Sequence, residues 1–147
     1  MKKKIILSTY LVIALFIITG CIDDNYGEDS NDIVTNLTEN NWERTYNKRL
    51  QNGSDVKILE HYEFQKNSKG FCKTYTAYTN GKKEEKIFYF QYTFITPNYK
   101  YILIDGSYWQ IDKLTSSILS IYETWENPLT TLGQPYRENK IFSGTPL

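Results

Sequence analysis

The turns constrain this chain more than any other feature. From Asn36 onward, short clusters of Gly, Asn, Asp, Ser and Pro interrupt stretches in which aromatic and β-branched residues alternate with polar ones. That alternation has the period of two expected of a half-buried strand. The clusters are Gln51-Asn52-Gly53-Ser54, Lys66-Asn67-Ser68-Lys69-Gly70, Asn80-Gly81, Pro97-Asn98, Asp105-Gly106 and Thr115-Ser116-Ser117. Asn80-Gly81 is the strongest hairpin signal, because both central residues of such a turn need positive φ. The strands predicted between the turns are residues 42–50, 56–65, 71–79, 86–95, 99–104, 108–114, 118–126 and 136–142. Only the last link, residues 127–135, is longer than about five residues, and hairpin links are ordinarily this short. No amphipathic helix is expected, only a short turn at residues 37–41.

Short links force antiparallel neighbours, since a parallel pair needs a long crossover. A Greek-key sandwich needs a long return connection, which this chain offers only at its end. An open eight-stranded meander leaves two edges, and closure removes both. Eight strands enclose a space that side chains fill or one small ligand occupies. The expected fold is therefore an all-β, eight-stranded antiparallel up-and-down barrel spanning residues 36–147. An immunoglobulin-like β-sandwich is the alternative.

The N-terminus reads differently. Lys2, Lys3 and Lys4 precede an apolar run at residues 5–18, and Ile18-Thr19-Gly20-Cys21 closes it. These are the charged, apolar and small-residue parts of an export signal. The run is shorter than the ~20 residues a membrane-spanning helix needs. Ile18 to Cys21 has the form of a bacterial lipobox, in which a signal of residues 1–20 is removed and Cys21 receives lipid. In bacterial lipoproteins such a cysteine carries a diacylglycerol thioether and usually an N-acyl chain, and several chains anchor where one holds only marginally. Residues 21–35 are polar and acidic, with Asp23, Asp24, Glu28, Asp29 and Asp32, and read as a flexible tether.

Loss of three lysines lowers the 17 basic residues to 14 against 17 acidic ones. The mature chain would be mildly acidic, without the basic footprint of a nucleic-acid binder. With Cys21 lipidated, Cys72 has no partner for an intramolecular disulfide and is expected to be a buried, inert thiol.

The order of several short segments resembles the lipocalin-like domains of small envelope lipoproteins in Bacteroidota. These segments are Leu37 with Trp42, Tyr62-Glu63-Phe64, Phe90-Gln91-Tyr92, Trp109 to Leu114 leading into Ile118-Leu119-Ser120-Ile121, and Tyr136-Arg137. Lipocalins open with Gly-x-Trp, whereas the first position here is Asn40. The resemblance implies that Trp42 plugs the closed end of a barrel and that Arg137 covers its face. It also implies an outer-membrane anchor, facing the periplasm or the cell surface.

Catalytic and metal chemistry find little support in the residue types. His61 is the only histidine, and no phosphate-binding glycine loop or nucleophile elbow occurs. Glu60 and His61 are adjacent, which on a strand puts them on opposite faces. Neither a catalytic residue nor a cofactor is expected. Aromatic residues make up 16% of the chain, with 13 Tyr. Within residues 86–95, Phe88, Phe90, Tyr92 and Phe94 share one face, and Ile87, Tyr89, Gln91 and Thr93 the other. Two readings follow. In one, Tyr92 and Trp109 line a cavity for a small apolar or amphipathic ligand. In the other, exposed Tyr89, Tyr108 and Trp125 meet an envelope protein or a glycan, and the lumen is packed by Phe88, Phe90, Tyr92 and Trp109.

Overall fold

The computed structural model describes residues 30–133 and 136–147, so Cys21 and the expected signal lie outside the described residues. A helix, α1 (Ser30–Thr38), leads into eight strands: β1 (Asn40–Arg49), β2 (Asp55–Phe64), β3 (Lys69–Tyr78), β4 (Lys83–Phe94), β5 (Tyr101–Ile104), β6 (Ser107–Leu114), β7 (Ile118–Thr124) and β8 (Glu138–Pro146). Each strand pairs antiparallel with the next, and β8 returns to β1 to close the barrel. The meander expected from the short links is the observed topology, and the sandwich is excluded. Gly81 takes φ 84° in the β3–β4 turn, as its hairpin requires.

The helix departs from the expectation of a bare turn, and it takes over the last residues of the tether. Its sequence, Ser-Asn-Asp-Ile-Val-Thr-Asn-Leu-Thr, is short and rich in β-branched and Asn residues, which are poor helix formers. Tertiary contacts hold it instead. Leu37 is fully buried at the closed end of the barrel, with Ile33 packed beside it. The C-terminal carbonyls, which no helix satisfies internally, are taken one by one. Thr38 Oγ1 donates to the Val34 carbonyl (2.8 Å), Glu39 N–H to Thr35 (2.9 Å), Asn40 Nδ2 to Asn36 (2.8 Å) and Trp42 Nε1 to Leu37 (3.0 Å). The helix stop is thus wired to the first strand.

Above this plug the lower half of the barrel is an aromatic cluster. Tyr62 sits at its centre, with ring centroids 5.2 Å from Trp109, 5.5 Å from Phe142 and 6.1 Å from Phe90. Phe64 packs 5.3 Å from Phe90 and 5.2 Å from Tyr92. Such edge-to-face pairs add to the apolar burial itself. Gly144 on β8 lies against the plug, where a Cβ would stand 2.6 Å from the Ser116 carbonyl and 2.7 Å from the Trp42 ring. Only glycine lets β8 approach Trp42 this closely. A bulge at Asp112 interrupts the β6–β7 ladder near the closed end, and Ser120 Oγ donates to the Asp112 carboxylate (3.1 Å).

Trp42 plugs the barrel, yet its partner is not Arg137. β8 runs from Glu138, beside Glu123 at the open mouth, to Gly144, beside Trp42 at the closed end. At about 3.3 Å per residue those ends are roughly 20 Å apart, beyond the reach of one side chain. Arg137 is exposed at the mouth and donates from Nη1 to Gln110 Oε1 (2.8 Å). Trp42 instead donates to the Leu37 carbonyl and lies against Gly144 of β8.

Candidate functional site

Inward-facing positions change character halfway up the barrel. The register places Arg44 beside Glu60 and Thr74 one step above the row of Trp42, Tyr62 and Cys72. Arg44 Nε donates to Glu60 Oε2 (2.6 Å), and Tyr46 OH to Glu60 Oε1 (2.9 Å). The Arg44 guanidinium lies over the rings of Tyr46 (4.4 Å) and Phe142 (5.5 Å), and 3.6 Å from Glu138. Across the lumen, Glu123 receives Lys140 from β8, a diagonal cross-strand neighbour, and Trp109 Nε1 (2.9 Å). A layer of paired charges therefore rests on the aromatic cluster, with Trp109 and Phe142 joining the two.

The electrostatics of this layer are those of a self-satisfied network. Burial alone would raise the Glu123 carboxyl, but the hydrogen bonds from Lys140 and Trp109 hold it below the ordinary carboxylate value. Burial and the neighbouring Glu60 carboxylate push the Tyr46 phenol up to about 12. Burial raises Cys72 as well, against the hydrogen bond of Tyr62, so its thiol stays protonated at neutral pH. The Glu60 and Glu123 carboxylates each accept from donors inside the barrel, which ties β1 to β2 and β7 to β8 across the lumen. Glu60 points inward and His61 outward, where His61 Nδ1 lies 2.8 Å from Glu43, as strand alternation requires. Among the described residues, no group of three or more His, Cys, Asp or Glu could hold a metal ion.

The two ligand candidates are built into packing. Trp109 is buried in the aromatic cluster. Tyr92 is buried too, with its OH donating to the Gln65 carbonyl (2.8 Å). One edge of Tyr92 lines a partly open hollow of about 410 Å³ near the closed end, between Val34 of α1 and the turns bearing Lys66 and Tyr99. Phe88 departs from the packed lumen expected of it: it stacks on Phe90 at 6.4 Å but remains 55% exposed.

The outer face of β3 and β4 carries the aromatics left over. Phe71 and Tyr89 are direct cross-strand partners, with centroids 6.3 Å apart. His61 stacks on Phe71 at 6.1 Å, and Lys73 Nζ lies 5.4 Å from the same ring. Ile87, opposite Lys73, is exposed, and Tyr89 is 74% exposed. Trp125, just past β7, is also 74% exposed, whereas Tyr108 is half-buried. Alternation in the sequence puts Ile87 and Tyr89 together on one face. Phe71 has no signal of its own, because it joins the patch only through the β3–β4 register. Comparisons with protein families, with curated proteins and with solved structures gave no match to this chain.

Proposed function

We propose that this is a non-catalytic interaction protein of the bacterial envelope, anchored by lipid at Cys21, in which the barrel is a packed scaffold. Its partner is another envelope protein or a glycan, met through exposed aromatics. The observation that carries this reading is a division of labour among aromatic residues. Trp42, Tyr62, Phe64, Phe90, Tyr92, Trp109 and Phe142 fill the lumen, while Tyr89 and Trp125 stand in solvent. Rings left this exposed keep apolar surface in water, and aromatic residues dominate binding surfaces. The anchor is supported by Ile18-Thr19-Gly20-Cys21 after a short apolar run. A second reading, a small amphipathic ligand, is favoured by the hollow beside Tyr92.

Two experiments test the proposal. The wild-type chain is expected to incorporate labelled fatty acid in living cells, and Cys21→Ser is expected to abolish that incorporation. A wild-type chain that takes up no label would remove the anchor from the proposal. A photo-crosslinking residue placed at Tyr89 in living cells is expected to give a discrete adduct that the same residue at Thr45 does not. No adduct at either Tyr89 or Trp125 would leave the hollow beside Tyr92 as the better site.

A further inference from the structure

Closure of the barrel does not remove every edge. β4 has twelve residues and β5 only four, and the two pair only over Tyr92–Ile104, Thr93–Leu103 and Phe94–Ile102. Above Tyr92, β4 pairs with β3 as far as Lys83, while among the described residues no strand covers its other side. The hydrogen bonds show which groups that side presents. Tyr92 N–H donates towards β3, to the Ser68 carbonyl (2.9 Å), whereas Ile95 N–H donates to Tyr101 on the β5 side (3.0 Å). Backbone direction alternates along a strand, so Glu85, Ile87 and Tyr89 aim their N–H and C=O groups out from the open edge. Gln91 N–H, next in the series, is met by the Asp105 side chain (3.4 Å) at the β5–β6 turn. The free ladder therefore ends at Tyr89.

Natural proteins blunt such edges with charge, proline or bulges. Lys83, Glu84, Glu85 and Lys86 do so near the β3–β4 turn, but Ile87, Phe88 and Tyr89 follow at 45%, 55% and 74% exposure. An open ladder flanked by exposed apolar side chains fits an added β-strand.

We propose that this edge pairs antiparallel with the same edge of a second copy of the chain, about a two-fold axis through Ile87. The inference rests on the reading of the β3–β4 side as a contact surface. The register follows from the residues. Centred on Ile87, the three open positions map onto themselves: Glu85 faces Tyr89 of the other copy, and Ile87 faces Ile87. Lys86 falls opposite Phe88, a cation beside an exposed ring. Centring one residue earlier would oppose Lys86 to Lys86, which is destabilising. Centring one residue later would need Gln91 in the ladder, where Asp105 already holds it. A self-complementary patch of this kind is what a two-fold dimer requires.

The test is sedimentation equilibrium of the full chain in density-matched detergent. The wild-type chain is expected to reach twice the chain mass as concentration rises. Ile87→Lys and Ile87→Glu each place like charges opposite one another on the axis and are expected to weaken the dimer about tenfold or more. An equal mixture of the two variants is expected to restore it, because the lysine of one copy then faces the glutamate of the other. The Ile87 side chain is exposed, so melting temperatures close to wild type verify that both variants fold. A wild-type chain that stays at single mass, a dimer indifferent to Ile87→Lys, or a mixture that stays dissociated overturns the proposal. If the wild-type chain stays single while the Tyr89 crosslink yields an adduct of another mass, the contact surface stands and only the second copy is lost.

Discussion

Replacing Trp42 with alanine is expected to lower the stability of the barrel by about 3–5 kcal/mol, the range for emptying a large aromatic site in a core. Trp42 is fully buried, and Gly144 leaves room for β8 to pack on its ring. The cavity left behind is walled by strand backbone from β8 and the β6–β7 turn, which cannot collapse without breaking ladder hydrogen bonds. The indole also holds the helix, since its Nε1 donates to the Leu37 carbonyl. Trp42→Phe separates the two effects. It keeps most of the ring and strands a buried carbonyl, which costs about 1–3 kcal/mol. Urea unfolding followed by circular dichroism measures both. An alanine variant with an unchanged midpoint would refute the plug. Below its melting temperature the variant should still crosslink through Tyr89, because the outer face lies on other strands.

The second large effect is expected at Lys140. Lys140→Met leaves the Glu123 carboxylate buried without its cation, with only the neutral donors Trp109 Nε1 and the Ser107 hydroxyl. Breaking a buried pair from one side costs about 3–5 kcal/mol, because a charge is left uncompensated. The double variant Lys140→Met with Glu123→Gln is expected to recover most of that loss, since glutamine carries no charge and still accepts from Trp109. The pH dependence provides an independent check. In the folded barrel the Glu123 carboxyl titrates below the ordinary carboxylate value, held there by Lys140 and Trp109 against its burial. Its contribution is therefore fully present above the ordinary value and is lost as pH falls through the lower, folded one. In Lys140→Met the carboxylate has lost its main stabilising partner and protonates more readily. The deficit of the variant relative to wild type should therefore shrink on acidification. A deficit that stays constant from neutral to acidic pH would mean that the pair is not what holds β7 to β8.

Much of the fold was legible because its information is local. Turn residues and period-two alternation depend on φ preference and on which face a side chain takes, and both are set within a few residues. The eight strands appear in the order expected, with ends displaced by up to four residues. Short links gave the meander, and closure followed from the two edges an open meander would leave. The helix was not legible, because its formation depends on what receives Leu37 and on donors from Asn40 and Trp42, which lie outside it. Arg137 was assigned to the plug by resemblance, and the direction of β8 places it at the opposite end.

The residues that characterise the lumen were visible in the sequence, but their partnerships were not. Arg44, Glu60, Glu123, Lys140 and Glu138 carry no local signal of which charge each one meets. They become a network inside the barrel only when four strands from both ends of the chain curl together. The open edge of β4 has the same origin. Its apolar alternation is written in residues 86–95, yet its exposure comes from the shortness of β5, which stops at Ile104 opposite Tyr92, where the backbone reverses through Asp105 at φ 42° and Gly106 at φ 94°.

Alternation and turn chemistry act over a few residues at a time, and they were enough to specify a closed antiparallel barrel from the chain alone. Which charges meet inside that barrel, and which strand edge stays open, emerged only in the folded molecule, because both depend on strand register and relative strand length around the whole circumference.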